Sequence, residues 1–311
     1  MAGQPVVPCI GKNLFIHIAR GEVSLASAGS ELKQPLGLPR PARPTAIQAC
    51  ATGATAVIEI RGLSHAFATV PVLRGVDMTV RAGEVVALVG PNGSGKSTLL
   101  RCAAGVLTPD QSAITLAGRL IDRWRPMERA RLLAYLPQHV VPTFPVTVRE
   151  MVAWGRHPYR VGLTAHDPQG GPVVEAALRQ MELAHLADHL FPTLSGGEAR
   201  RCLIASALAQ EPRYLLLDEP TSDLDPPHGR ALFRHLRRLA GEHLAVLVVT
   251  HDLNLAALFA DRVVLLTAGR VVAEGRSGEV LQIGLLTEAY GPGLVVGDHP
   301  AAPRPTVLAA P

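Results

Sequence analysis

"EVVALVGPNGSGKSTLL" (Glu84–Leu100) runs from an apolar segment into a glycine-rich loop and out into a helical pattern, and this succession decides the fold. The apolar run from Glu84 stops at Gly90, as expected of a short strand buried on both faces. A helix is expected at once from Lys96. The nine residues between and across these elements, Gly90, Pro91, Asn92, Gly93, Ser94, Gly95, Lys96, Ser97 and Thr98, match G-x-x-x-x-G-K-[S/T] in the strand-to-helix setting that the motif requires. Glycines let consecutive backbone N–H groups turn inward around a phosphate chain, and the helix N-terminus adds partial positive charge. Lys96 is placed to neutralise β- and γ-phosphates, and Ser97 to hold Mg²⁺.

Outward from this loop the same alternation recurs. "YLLLDEP" (Tyr214–Pro220) is a second buried strand, ending in two carboxylates. Side chains alternate along a strand, so Asp218 is expected at the metal while Glu219 faces the γ-phosphate and orients or deprotonates an attacking water. Leu244–Val249 is a third such strand, and Leu232, Leu236 and Leu239 have helical spacing. Strands alternating with helices predict an α/β protein with a parallel sheet core covered on both sides.

Two further regions depart from that pattern. Val57–Leu63 and Val76–Val80 alternate like half-buried strands and predict an antiparallel β edge subdomain. Residues 138–201 have helical spacing at Val174, Ala177, Leu178 and Met181 and predict an inserted α-helical subdomain. Within it Thr147 caps a helix and Glu150 returns the bond. Residues 55–297 are thus expected to form the ordered domain. The Pro-rich 1–54 reads equally as a disordered extension or a misassigned start, and 298–311 as a flexible tail.

The 311 residues are 48% hydrophobic and 18% charged, enough apolar material for a sizeable core. Mean hydropathy is +0.21, yet the apolar runs fall well short of the roughly 18 residues that cross a bilayer. Met1–Ile10 lacks the pattern of a secretory signal, which predicts a cytosolic location. Net charge is +4, with Lys and Arg scattered instead of gathered into a nucleic-acid-binding stripe. Cys9, Cys50, Cys102 and Cys202 show no metal or disulfide spacing. His185 and His189, four apart on a predicted helix, lack an evident third ligand and are read as ordinary surface residues.

"LSGGE" (Leu194–Glu198), placed before the carboxylate motif, resembles the signature of the ABC ATPases, P-loop NTPases with a RecA-like core. Ser195 and the amides of Gly196 and Gly197 open a helix as an anion nest. The resemblance covers about Val57 to Val295 and implies that this nest grips the γ-phosphate of an ATP held by an opposing subunit, hence a homodimer. It further implies that Gln138 in "YLPQ" senses metal and water, that His251 in "THDLN" contacts the γ-phosphate, that Asp225 in "SDLD" communicates across the dimer, and that Phe67 stacks on adenine. Gln138 and His251 with Lys96 and Glu219 make the expected catalytic set, Ser97, Gln138 and Asp218 the expected metal set, and Phe67, Asp225 and the Ser195–Gly197 nest join the glycine loop as expected nucleotide contacts. Two departures are an Asp at 223 and "EARR" (Glu198–Arg201), which lacks the Gln common after the signature.

"FPVTVREMVAWGRHPY" (Phe144–Tyr159), "THDLNLAALFADRVVLLTAGRVVAEG" and "AYG" (Ala289–Gly291) are similar to the ATPases of importers for iron-siderophore, haem and cobalamin complexes. That resemblance implies two transmembrane permease subunits as partners, a substrate-binding protein acting indirectly, no nucleic acid, and a peripheral place on the cytoplasmic side of the cell membrane. The region around Arg156 is expected to receive a helix of the permease, or else to be an ordinary Pro-bounded loop. Another importer class or an exporter stays open, as do a soluble non-transport ABC ATPase and an ATP sensor without turnover. The first is separated from the present reading by the neighbouring membrane-protein gene. The second is disfavoured by the lack of a coiled-coil insertion or tandem cassette, and the third by retention of Glu219 and His251.

Overall fold

The computed structural model describes residues 57–140, 145–160, 167–222, 224–241 and 243–310. The expected N-terminal extension and Asp223 lie outside the described residues. The described residues open with two long strands, β1 (Val57–Phe67) and β2 (Val70–Arg81), paired antiparallel from Val57↔Arg81 to Phe67↔Val70. Next comes β3 (Val85–Val89), buried throughout, and after the glycine loop α1 (Lys96–Ala103). β4 (Gln111–Leu116) and the short β5 (Arg119–Leu120) complete a four-stranded antiparallel sheet of order β2-β1-β4-β5.

After the short helix α2 (Pro126–Ala130), β6 (Leu133–Leu136) leads into the helical subdomain. This holds α3 (Val148–Ala153), a 3-10 segment (Trp154–Tyr159), α4 (Gly170–Gln180) and the start of α5 (Gly196–Ala209). The predicted cap of α3 is present, with the Thr147 Oγ1 accepting from the Glu150 N–H at 3.2 Å and Glu150 Oε2 accepting from the Thr147 N–H at 2.8 Å. Val174, Ala177, Leu178 and Met181 are buried, so the apolar spacing does mark the inner face of α4.

The chain returns to the core with β7 (Tyr214–Asp218), α6 (Pro226–Gly241), β8 (Ala245–Val249), α7 (Leu253–Phe259), β9 (Arg262–Thr267) and β10 (Arg270–Gly275). The core sheet has the order β10-β9-β3-β8-β7-β6, parallel except for β10 at one edge. Residues of β3 alternate between two apolar clusters. Val85, Ala87 and Val89 join the helices α3 to α7, whereas Val86 and Leu88 join α1 and the antiparallel sheet. Both faces are therefore covered, which explains why β3, β7 and β8 read as unbroken apolar runs.

The C-terminal segment departs from the flexible tail expected for 298–311. After α8 (Ser277–Val280) and α9 (Ile283–Tyr290), β11 (Leu294–Asp298) and β12 (Pro305–Ala309) pair as an antiparallel hairpin. The anchor is Asn254 on α7: its Nδ2 donates to the Val307 carbonyl at 3.0 Å, and its Oδ1 accepts from the Val307 N–H at 2.8 Å. Val307 is buried on the core. Alternation over five residues between proline-rich turns is too short to stand out in sequence.

Candidate nucleotide site

Parallel pairing places the ends of β3, β6, β7 and β8 on one edge of the sheet, through Leu88↔Val249, Leu217↔Val248 and Leu136↔Leu217. The loops leaving that edge carry Gly90–Gly95, Gln138, Glu219 and His251. Ligands in open α/β sheets collect at such carboxyl ends.

The glycine loop needs its glycines for distinct reasons. Gly90 has φ 151°, and a Cβ there would overlap the Leu266 carbonyl oxygen on β9. Gly95 has φ 104°, with Leu73 of β2 against it, and immediately precedes α1. Inside the loop the Lys96 Nζ donates to the carbonyls of Gly90 at 2.8 Å and Pro91 at 2.9 Å. Burial holds this ammonium below the usual lysine range, with Glu219 and Asp218 opposing the shift. The buried Ser94 hydroxyl has no hydrogen-bond partner among the described residues. A loop of inward-turned backbone, a desolvated ammonium and an orphaned hydroxyl fits an anion of phosphate type.

Beside it the Ser97 hydroxyl donates to Asp218 Oδ1 at 3.0 Å. Asp218 is 1% exposed, and burial lifts its carboxyl above the usual range, opposed by the Ser97 hydroxyl and by the charge of Arg101. A hydroxyl and a carboxylate in contact are hard oxygen donors, the set that suits Mg²⁺.

Glu219 follows directly but leaves the strand in the left-handed region, at φ 44°. Its N–H donates to the Val249 carbonyl of β8 at 3.0 Å, and its carbonyl accepts from the Ser222 N–H at 3.3 Å. The divergence of Asp218 and Glu219 thus comes from a sharp backbone turn as well as from strand alternation. A non-glycine residue held there costs about 1–3 kcal/mol, as it does at Glu182 and Glu211 elsewhere in the fold. The turn aims Glu219 Oε2 at Gln138, whose Nε2 donates to it at 2.8 Å. His251 Nδ1 lies 3.6 Å from the same oxygen. Lys96, Ser97, Gln138, Asp218, Glu219 and His251, distant in sequence, are therefore drawn together.

The remaining expected residues sit around this centre. Phe67 ends β1, 48% exposed, with its ring edge-on to His65 at 4.9 Å. Because His65 pairs with Leu73, the residue against Gly95, that strand end borders the glycine loop. Ser195 caps α5; its Oγ and N–H both donate to Glu198 Oε2, at 2.7 and 2.8 Å. Those bonds depress the Glu198 carboxyl below its usual range. Asp225 immediately precedes α6 and accepts from the His228 N–H at 3.1 Å.

Arg156, in the region expected to receive a permease helix, is itself held inside the fold. It is 3% exposed, donates to Asp167 Oδ2 at 2.8 Å, Glu211 Oε2 at 2.6 Å and the Ala209 carbonyl at 2.9 Å, and lies 3.9 Å over the Tyr159 ring. A Cβ at Gly155 would overlap the Ser206 carbonyl. Gly155 and Arg156 thus lash the 3-10 segment to the C-terminal end of α5, and the exposed neighbour is Trp154.

Sequence reasoning also passed over Arg200. It is 5% exposed and donates to the carbonyls of Pro137, Gln138, Asp218 and Pro220. The signal was available: Arg200 stands four residues before the fully buried Ile204, on the inner face of α5.

The profile of the ABC transporter family matches residues 73–222. The hemin import ATP-binding protein HmuV of Nocardia farcinica is 47% identical over 238 residues, which is 76% of this chain and 82% of that protein. Among solved structures, a metal-chelate type ABC transporter in an inward-facing conformation superimposes with TM-score 0.72 at 25% identity, covering 83% of this chain and 98% of the other. The dimeric structure of MJ0796, a bacterial ABC transporter cassette, does so with TM-score 0.63 at 28% identity, covering 70% and 98%. The chain belongs to the ABC transporter ATP-binding family, and its fold is that of an ABC ATPase. It binds ATP and is an ATPase.

Proposed function

We propose that this ATPase powers import of a metal chelate of hemin type, as a homodimer beneath two permease subunits that are served by a substrate-binding protein on the far side of the membrane. The observation that carries the reading is the 47% identity to a hemin import ATP-binding protein along three quarters of the chain. The likeness to a metal-chelate type transporter supports it. Among the described residues no helix is long and apolar enough to cross a membrane, which is consistent with a peripheral subunit. We assign it to the cytoplasmic side, where ATP is available.

Each residue of the site has work in that scheme. Lys96, now on the Gly90 and Pro91 carbonyls, is positioned to transfer its bonds to the β- and γ-phosphates of entering ATP. Phe67 stacks on the adenine, a contact worth about 1 kcal/mol. Ser97 and Asp218 would hold Mg²⁺, with Gln138 as a further oxygen donor, and the ion would neutralise charge on the phosphates. Glu219 accepts a proton from, or orients, the attacking water, and Gln138 fixes its carboxylate. His251 meets the γ-phosphate from the adjoining loop. Across the dimer, the amides at Ser195–Gly197 cap the partner's nucleotide, while Asp225 reports its state. Closure on ATP and reopening after hydrolysis pass through the helical subdomain to the permease.

The test is purification of the tagged protein from its native membranes, with hemin uptake measured in cells carrying wild type or Glu219→Gln. Co-purification of a polytopic permease and uptake lost in the variant support the proposal. Recovery in the soluble fraction with ribosomes or DNA-repair proteins, or uptake unchanged in the variant, overturns it.

A further inference from the structure

The parallel ladder between β6 and β7 ends at Leu136↔Leu217, where the site begins. Beyond it β6 meets Pro137, which has no N–H to donate, and β7 turns away at Glu219, at φ 44°, so the ladder ends and the carbonyls at the strand ends need other donors. Arg200 supplies them. Its Nη2 donates to the Asp218 carbonyl at 2.9 Å, and its Nε to that of Pro220 at 3.2 Å. Nη1 donates to the carbonyls of Gln138 at 3.0 Å and Pro137 at 3.3 Å. One planar guanidinium thus grips the backbone on both sides of the gap across which the Gln138 amide meets the Glu219 carboxylate at 2.8 Å.

We infer that Arg200 is the positioning residue that sets the spacing between Gln138 and Glu219, and that it ties this spacing to helix α5, whose N-terminus is the signature Ser195–Gly197. A guanidinium has the rigid fork to hold carbonyls from two strand ends at once. A lysine ammonium brings equal charge from a single point. Because α5 starts one turn before Arg200, a rotation of that helix moves the two backbones that carry the water-handling side chains.

The inference rests on Gln138 and Glu219 being the hydrolytic pair, so Glu219→Gln in the purified full chain is the control. If that variant hydrolyses ATP at the wild-type rate, the reading of the site fails. The test of Arg200 is separate and compares steady-state kcat and KM for Arg200→Met and Arg200→Lys, alone and combined with Gln138→Ala. A group misplaced by about 1 Å costs up to 100-fold, so kcat is expected to fall about 10- to 100-fold in both variants, with KM for ATP within about threefold. Combined with Gln138→Ala, either is expected to add less than about twofold, because both changes act on one pair. Full kcat in Arg200→Lys, losses that multiply with Gln138→Ala, or loss of the folded state in both variants would overturn the inference and leave Arg200 a core support. If Arg200→Met alone fails to fold, Arg200→Lys decides.

Discussion

The Gln138 amide and the Glu219 carboxylate are hydrogen-bonded at 2.8 Å across 81 residues of sequence, joining the start of the helical subdomain to the end of β7. The oxygen in that bond is also the one nearest His251. Replacing Glu219 by Gln keeps the size of the side chain and removes its basicity. We expect hydrolysis to fall about 10²- to 10⁴-fold while ATP is still bound, as read by phosphate release against fluorescent-nucleotide binding. Hydrolysis at more than about a tenth of the wild-type rate would remove Glu219 from the role of base.

Gly90 offers a backbone test. Its φ of 151° and the Leu266 carbonyl leave no room for a methyl group, whereas a Cβ on Gly93, at φ 79°, meets open space. Gly90→Ala should cost more than about 3 kcal/mol and abolish ATP binding, whereas Gly93→Ala should cost about 1 kcal/mol. Thermal unfolding with and without ATP distinguishes the two, and equal effects would refute the steric argument.

The clamp at Arg156 predicts unequal losses from its two acids. Asp167 is 11% exposed at its side chain and Glu211 53%. Arg156→Met strands the part-buried Asp167 carboxylate and should cost about 3 kcal/mol. Glu211→Gln, at a half-exposed position, should cost under about 1 kcal/mol. Denaturant unfolding measures both, and a Glu211→Gln loss as large as that of Arg156→Met would contradict the burial difference.

Asp218 predicts opposite effects on stability and function. Its carboxyl is raised from the ordinary 3.8 by burial, so the folded state holds the proton more tightly than the unfolded chain does. The cost of the buried charge is fully present above the folded value and is relieved as pH falls toward 3.8. Asp218→Asn should therefore raise the nucleotide-free Tm at neutral pH, by about 2 °C, and abolish Mg²⁺-dependent hydrolysis. In the wild type, Mg²⁺ dependence should fade on acidification at a pH above the ordinary aspartate range. A lower Tm for Asp218→Asn would reverse the sign of the argument.

Legibility in the sequence followed burial and chemistry. β3, β7 and β8 were plain because strands covered on both faces are apolar throughout. The glycine loop and the carboxylates after β7 were plain because a phosphate-binding motif demands few residue types at fixed spacing. β6 was missed: four residues, Leu133–Leu136, are too few to show a period. The anchoring roles of Arg156 and Arg200 were hidden for another reason. A guanidinium satisfied by carbonyls from distant segments looks in sequence like any surface arginine, and only the fold reveals its acceptors. The left-handed turn at Glu219 was equally hidden, since nothing in "DEP" declares a positive φ.

Asn254 occupies both backbone groups of Val307 on the side of β12 turned away from β11. An exposed edge of a two-stranded ribbon ordinarily offers a ready template for a stray strand from another molecule. Here its outer rim is stoppered at the centre by a single carboxamide. One side chain on α7 thereby closes the centre of the β12 rim to edge-to-edge pairing.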